Sequence, residues 1–283
     1  MKKHFLIAVL IGSAFPALHA QVSIVNPVPH QVTSQQQLLD QPSEWQVTAT
    51  ASVPGYVLSA VAECSPQQVE KAAFVLRMGI KGDKAMKRYG KQVPERAEGY
   101  FLQVTPEGAV VVGADARGLY YGVQTLQQMM SEGRLEVCRI SDWPDVAFRG
   151  SIEGFYGRPW SHEHRLRQLD FYGRHKMNVY IYGPKDDPYH RAHWREAYPD
   201  EEAARIKELN ERAKLRGVHF YWAIHPGLDI KWNDEDRQHL VAKLEKMYDL
   251  GIRSFAVFFD DIWGEGAKGE KQAALLNYVD DVF

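Results

Sequence analysis

The chain has 283 residues, a formal net charge of −2 at pH 7 and a hydrophobic fraction of 45%. This length allows two domains, and the composition is that of a globular protein rather than a disordered or fibrous one. A weakly acidic chain does not suit the phosphates of nucleic acid, so no nucleic-acid partner is expected.

The first 20 residues differ from the rest of the chain. Lysines at positions 2 and 3 precede an apolar run over 5–15, and residues 18–20 offer a cleavage site, which is typical of a signal peptide. A membrane-anchoring helix is the alternative, although the run is too short to span a bilayer. We expect residues 1–20 to be removed, the protein to be exported to the periplasm or the extracellular space, and no membrane span to follow.

Residues 21–146 read as an α+β domain without a catalytic set of residues. Their pattern predicts strands at Trp45–Ala49 and Gly55–Ala60, a helix from Pro66 to Met78 capped by Ser65, a hairpin of Gly99–Val104 and Ala109–Gly113, and an amphipathic helix at Arg117–Met130. Cys64 and Cys138 form one disulfide or remain buried thiols, and both readings stay open.

Residues 147–283 follow a rhythm of strand, polar loop and helix. The strands are predicted at Phe148–Glu153, Val179–Tyr182, Val218–Ile224 and from Ile252, and the helices from Ser161 to His175 and at Glu201–Arg216, Asp234–Asp249 and Lys271–Phe283. Such alternation implies a parallel sheet. Four units are about half of a (β/α)8 (TIM) barrel of ~250 residues. We therefore predict the N-terminal half of such a barrel in a C-terminally truncated chain, with a complete four-stranded α/β domain as the alternative.

The fourth predicted strand ends in two carboxylates. Phe255–Phe259 is continuously apolar, which predicts a strand buried on both faces, and Asp260 and Asp261 follow it. Active sites of parallel barrels lie at this end of the strands. The other strands lead into EGFYGRPW, YGPKDDPYH and HPGLDIKW, and their aromatic, charged and glycine residues suit a sugar. No phosphate loop, metal-binding pattern or nucleophile elbow is present, and we expect no metal or organic cofactor.

Neighbouring carboxylates favour an unusual glycosidase mechanism. Most glycosidases place two carboxylates ~5–9.5 Å apart across the bond, which sequence neighbours hardly achieve. In substrate-assisted hydrolysis, one carboxylate instead protonates the leaving oxygen, and the other orients a 2-acetamido nucleophile of the sugar. The charge on Asp260 is expected to raise the pKa of Asp261. A helix cap or a Mg²⁺ site is the alternative use of the pair.

Four strings give the chain a resemblance to a known family. RGSIEGFYGRPWS, KMNVYIYGPKDDPYH, WAIHPGLDIKWN and RSFAVFFDDIWGEG, from Phe148 onward, resemble glycoside hydrolase family 84, the β-N-acetylglucosaminidases. Upstream, EGYFLQVTPEGAVVVGADARGLYYGVQTLQQMM resembles the α/β domain that precedes the barrel in bacterial hexosaminidases. The resemblance implies an exo-β-N-acetylglucosaminidase that retains configuration through an oxazoline intermediate.

The resemblance also implies roles for five residues. Asp260 would polarise the acetamido N–H, and Asp261 would be general acid and then general base. Gly154 would bind a sugar hydroxyl through its backbone, Lys185 would reach the 3- and 4-hydroxyl side, and Tyr156 would lie near the acetamido pocket. The family's contacts after later strands have no counterpart before residue 283, and Trp263 stands where a smaller residue is expected.

Other readings of these residues stay open. The substrate could be a glycosaminoglycan such as hyaluronan, cut by an endo-acting enzyme, or the chain could bind glycans without turnover. Lys185 could form a surface ion pair with Asp186 or Asp187. His225 reads as a hydrogen-bonded core histidine rather than a base. The oligomeric state is not predicted.

Overall fold

The structure, a computed structural model, describes residues 24–64 and 66–283. The predicted signal peptide and the predicted cap residue Ser65 lie outside the described residues. Across the described part, no helix combines the length and the apolar character needed to cross a membrane.

The first half of the chain folds around a mixed sheet with helices packed against it. Its strands follow the spatial order β1-β7-β5-β6-β4-β2-β3. Their bounds are β1 Gln31–Asp40, β2 Glu44–Ala49, β3 Gln67–Gln68, β4 Val75–Ile80, β5 Tyr100–Thr105, β6 Gly108–Gly113 and β7 Arg134–Asp142. The helices of this half are α1 Gly55–Ala62 and α2 Ala116–Met129.

Three predicted elements of this half are confirmed. Strand β2 is present, and β5 and β6 pair as the predicted antiparallel hairpin. Helix α2 begins after Asp115, whose side chain accepts a hydrogen bond from the amide of Gly118 at 2.8 Å and so caps the helix. Its apolar side packs against the sheet and shares one core cluster with β5 and β6.

Two predicted elements of this half are wrong. The segment 55–60 is helical, because Val57, Ala60 and Val61 recur at helical spacing and join the buried core. The predicted helix at 66–78 is replaced by the short β3 and by β4, which lies between β2 and β6 in the sheet. The buried side chains of Leu76 and Met78 alternate with exposed Arg77, which is a strand pattern.

The second half is a four-stranded parallel sheet with the strand order β11-β10-β9-β8. The strands are β8 Gly150–Glu153, β9 Val179–Tyr182, β10 His219–Ile224 and β11 Ser254–Val257. They alternate with α3 His162–Arg174, α4 Asp200–Leu215, α5 Asp234–Asp249 and α6 Gly269–Val282. The predicted fold class, an α+β domain followed by part of a (β/α)8 barrel, is confirmed.

Strand β11 departs from its prediction in one respect. It was expected to be buried on both faces, yet all four of its residues are only partly buried. The physical reason is its position: β11 lies at the edge of the sheet and pairs with β10 alone among the described strands.

Ion pairs join the two halves. Glu98 accepts hydrogen bonds from Arg117 at 2.7 Å, from Arg149 at 2.6 Å and from the amide of Asn178 at 3.1 Å. Arg149 and Asn178 belong to the second half, so one buried carboxylate anchors the start of β8 and the start of β9 to the first half. This contact fixes the barrel strands relative to the mixed sheet.

The two cysteines are free thiols, and both are buried. Burial is the main cause that raises the pKa of each thiol to about 12. The disulfide alternative is therefore not realised in this fold.

Candidate active site

The loops after the four parallel strands enclose an open cavity of about 440 Å³. Because parallel strands bring all their carboxyl ends to one edge, residues from distant parts of the chain meet there. The lining residues are Ile152, Gly154, Gly183, Lys185, His190, Arg191, His225, Phe258 and Asp260. Three of the five predicted site residues therefore line one cavity.

Lys185 connects the loop after β9 with the two carboxylates after β11. Its Nζ atom donates hydrogen bonds to Asp260 Oδ2 at 3.3 Å and to Asp261 Oδ2 at 3.0 Å. Burial lowers the pKa of Lys185, but the hydrogen bonds to Asp261 and Asp260 outweigh it and raise the pKa overall. Lys185 is therefore a cation shared by both acids rather than half of a surface pair with Asp186 or Asp187.

Tyr156 completes the set from the loop after β8. Its hydroxyl donates a hydrogen bond to Asp261 Oδ2. This hydrogen bond, followed by that of Lys185, lowers the pKa of Asp261. The expected rise of this pKa is wrong for the free site, because two donors stabilise the charged form of Asp261 more than desolvation opposes it.

The backbone around the pair is shaped for a ligand. Asp261 has a φ angle of 54°, in the left-handed region that few non-glycine residues adopt, and such conformations cluster at functional sites. A Cβ atom at position 154 would lie 3.6 Å from Ile152, the nearest described residue apart from its two chain neighbours. Packing alone does not require glycine at position 154, and its absent side chain leaves the backbone open toward the cavity.

Two further residues from the sequence analysis, Asp187 and Trp263, do not line the cavity. Asp187 is buried and accepts hydrogen bonds from Tyr182 at 2.9 Å and Tyr198 at 2.7 Å, so it is structural. Trp263 is 80% exposed on the loop after the acids.

Sequence reasoning missed two polar side chains of the lining and set aside a third. His190 and Arg191 come from the string after β9, and His225 follows β10. His225 is 1% exposed and hydrogen-bonded, as expected of a core histidine. The signal was its position directly after a strand, the same signal that selected Lys185 and the acids.

The arrangement suits proton transfer beside a cation. Two carboxylates, a lysine and a phenol lie within one hydrogen-bonded set at the mouth of the cavity. Among the described residues, no group of three or more His, Cys, Asp or Glu side chains could hold a metal ion. The position between the acids, which a Mg²⁺ ion would need, is taken by Lys185 Nζ.

Comparisons with known proteins match both halves. Residues 149–283 match a family described as beta-N-acetylglucosaminidase, and residues 22–143 match domain 2 of glycosyl hydrolase family 20. The chain is 44% identical over 114 residues to protein O-GlcNAcase of Rattus norvegicus, a match that covers 40% of this chain and 12% of the rat protein.

Solved structures extend the similarity to the fold. CpGH84B superposes with a TM-score of 0.81 at 34% identity, over 91% of this chain and 47% of its own. CpGH84D superposes with a TM-score of 0.76 at 27% identity, over 90% of this chain and 47% of its own. The chain therefore spans less than half the length of these relatives.

The partial barrel, with its carboxylates after the strand ends, is similar to glycoside hydrolases. Within that class, residues 149–283 match the beta-N-acetylglucosaminidase family, whereas residues 22–143 match a domain of a second family. The chain is thus similar over its second half to beta-N-acetylglucosaminidases, and its fold is similar to that of CpGH84B and CpGH84D.

Proposed function

We propose that the protein is a retaining exo-β-N-acetylglucosaminidase that removes terminal β-linked N-acetylglucosamine from glycans or glycoproteins. The observation that carries this proposal is the pair Asp260 and Asp261 at the end of β11, with Lys185 hydrogen-bonded to both. Adjacent carboxylates suit substrate assistance, in which the acetamido group of the sugar is the nucleophile.

The first step forms an oxazoline. The acetamido oxygen attacks the anomeric carbon, the bond to the leaving oxygen breaks, and Asp261 gives its proton to that oxygen. Asp260 orients the acetamido N–H and takes its proton as the ring closes. In the second step, Asp261 removes a proton from water, the water oxygen opens the oxazoline at the anomeric carbon, and Asp260 returns its proton to nitrogen. Two inversions at one carbon retain its configuration.

Substrate binding prepares Asp261 for its role as acid. In the free site, hydrogen bonds from Tyr156 and Lys185 keep the pKa of Asp261 low. A sugar whose 3- and 4-hydroxyl groups engage Lys185 draws that cation away from the carboxylates. Tyr156 then turns toward the acetamido pocket, and Gly154 binds a hydroxyl through its backbone. With fewer donors, the charge on Asp260 favours the protonated form of Asp261.

The test compares leaving groups. In the full-length protein, Asp261→Ala should lower the hydrolysis of aryl β-N-acetylglucosaminides with poor leaving groups about 10²–10⁴-fold, the usual contribution of a general acid. Activated leaving groups need no proton in the first step, so their hydrolysis should fall less, by the loss of the base in the second step alone. Asp260→Ala should lower both, because acetamido participation is lost. Equal activity of Asp261→Ala and the parent on both substrates would refute the assignment.

A matched control is Asp186→Ala, since Asp186 is half exposed and follows Lys185 directly. Its rates should stay close to those of the parent protein. Two further assays of the parent protein distinguish the alternatives: cleavage inside hyaluronan indicates an endo-acting enzyme, and sugar binding without turnover indicates a glycan-binding protein.

Export is also part of this proposal. The support is the basic start and apolar run of residues 1–20. Mass spectrometry of the protein from its native host should find Gln21 at the N-terminus, and an intact Met1 in the cell interior would contradict export.

A further inference from the structure

Two buried histidines lie behind the loops that carry the candidate catalytic residues. His190 and His225 are 2% and 1% exposed, and both line the cavity. The backbone amide of His225 donates to the backbone carbonyl of His190 at 2.7 Å. The two residues therefore connect the loop after β9 with the loop after β10.

Each imidazole ring makes a hydrogen bond to a backbone carbonyl group at or next to a candidate site residue. His225 Nε2 donates to the carbonyl oxygen of Asp260 at 2.7 Å. His190 Nε2 donates to the carbonyl oxygen of Pro184, the residue before Lys185, at 2.9 Å. Because a carbonyl oxygen only accepts, the neutral form of each ring must carry its proton on Nε2.

Among the described residues, the other nitrogen of each ring has no hydrogen-bond partner that competes with the contact of Nε2. Nδ1 of His190 and of His225 is buried and has no hydrogen-bond partner within the described part of the chain. The bond from Nε2 is thus the polar contact that orients each ring. His225 Nε2 also lies 3.5 Å from Oδ1 of Asp260, so this ring faces both the backbone and the carboxylate of that residue.

We propose that His225 and His190 are positioning residues with separate tasks: His225 holds Asp260 for the bond-forming step, and His190 holds the loop that presents Lys185 to the sugar. This inference rests on the proposed function. A contact that acts mainly in the transition state changes kcat, whereas one that binds the sugar equally in both states changes KM. Loss of His225 should therefore lower kcat, and loss of His190 should raise KM.

The test uses two pairs of variants in the full-length protein. His225→Leu and His190→Leu remove the donor, whereas His225→Gln and His190→Gln retain an amide that can donate to the same carbonyl. Rates are measured on an aryl β-N-acetylglucosaminide, with active sites counted by binding of a thiazoline analogue of the oxazoline. We expect His225→Leu to lower kcat by up to about 10²-fold, the effect of a misplacement near 1 Å, with little change in KM.

His190→Leu should raise KM with little change in kcat, and each Gln variant should recover most of the loss. A merely structural role would lower the melting temperature and the number of active sites without separating kcat from KM. That result would overturn the proposal. A His225→Gln variant without measurable activity would overturn it as well. If the Leu variants do not fold, the Gln variants decide.

Crystal structures separate this inference from the proposed function. A parent protein that neither hydrolyses the glycoside nor binds the thiazoline refutes the proposed function. In that case, displaced carbonyl groups of Asp260 and Pro184 in the Leu variants, restored in the Gln variants, would support the positioning roles. An unchanged backbone in the Leu variants would overturn them.

Discussion

The hydroxyl of Tyr156 donates a hydrogen bond to the carboxylate of Asp261, 105 residues further along the chain. Strands β8 and β11, which carry the two loops, are not neighbours in the described sheet. The contact therefore forms across the open face of the strand ends. It couples the state of the proposed acid to a residue on a separate loop.

Tyr156→Phe should raise the pKa of Asp261, because the donor that contributes most to its low value is removed. A carboxyl with a higher pKa stays protonated to higher pH. The alkaline limb of the pH–rate profile on a poor leaving group should therefore move to higher pH. NMR titration of the Asp261 carboxyl carbon checks the first expectation directly.

The matched control for this titration is Tyr248→Phe. Tyr248 is 46% exposed near the end of α5, before β11 rather than after it. Its loss should leave the pKa of Asp261 unchanged. A downward shift in Tyr156→Phe would contradict the described hydrogen bond.

Arg165→Met should destabilise the fold by about 3–5 kcal/mol, the cost of leaving a buried charge without its partner. Glu153, 1% exposed at the end of β8, accepts two hydrogen bonds from Arg165, both of 2.8 Å. Urea unfolding followed by circular dichroism measures the change.

Arg167→Met, on the same helix, is the control for this prediction. Arg167 and its partner Glu163 are 67% and 70% exposed, and such surface pairs contribute about 0–1 kcal/mol. Similar losses in the two variants would show that the buried pair contributes no more than a surface one.

The parent protein should lose stability at acid pH partly through Glu98. Burial raises the pKa of Glu98, but hydrogen bonds from Arg117, Arg149 and Asn178 outweigh it and lower the pKa overall. A lowered pKa adds stability above the unfolded value of ~4.3, and this is lost as pH falls through the folded value.

Glu98→Gln should therefore show a flatter dependence of melting temperature on pH as the pH falls below ~4.3, the pKa of an unperturbed glutamate. Glu107→Gln, in the exposed turn between β5 and β6, is the control and should follow the parent. A parent whose melting temperature is constant across this range would contradict the role of Glu98.

Cys64 and Cys138 should resist alkylation in the folded protein at mildly alkaline pH. Burial raises the pKa of both thiols to about 12, and the thiolate is the reactive form. Both should react rapidly with iodoacetamide in guanidinium chloride without a reducing agent. Mass spectrometry counts the labels, and a chain that gains none after unfolding would contain a disulfide instead.

The amino-acid sequence by itself determined the barrel half and brought five residues together as a candidate site. Val179–Tyr182 and Asp234–Asp249 have their predicted bounds, because apolar runs and capping residues such as Asn233 act over a few neighbouring positions. Asp260 and Asp261 are neighbours in the sequence itself. Because parallel strands end at one edge of a sheet, Lys185 is predicted to lie near them.

Tertiary structure decided what depends on distant neighbours. The segment 75–80 became a strand because β2 and β6 flank it, and the partial burial of β11 follows from its place at the sheet edge. The low pKa of Asp261 depends on Tyr156 and Lys185, which approach it from separate loops. Local sequence patterns specify a residue's own preferences, whereas burial and electrostatics are set by atoms brought close only when the whole chain packs.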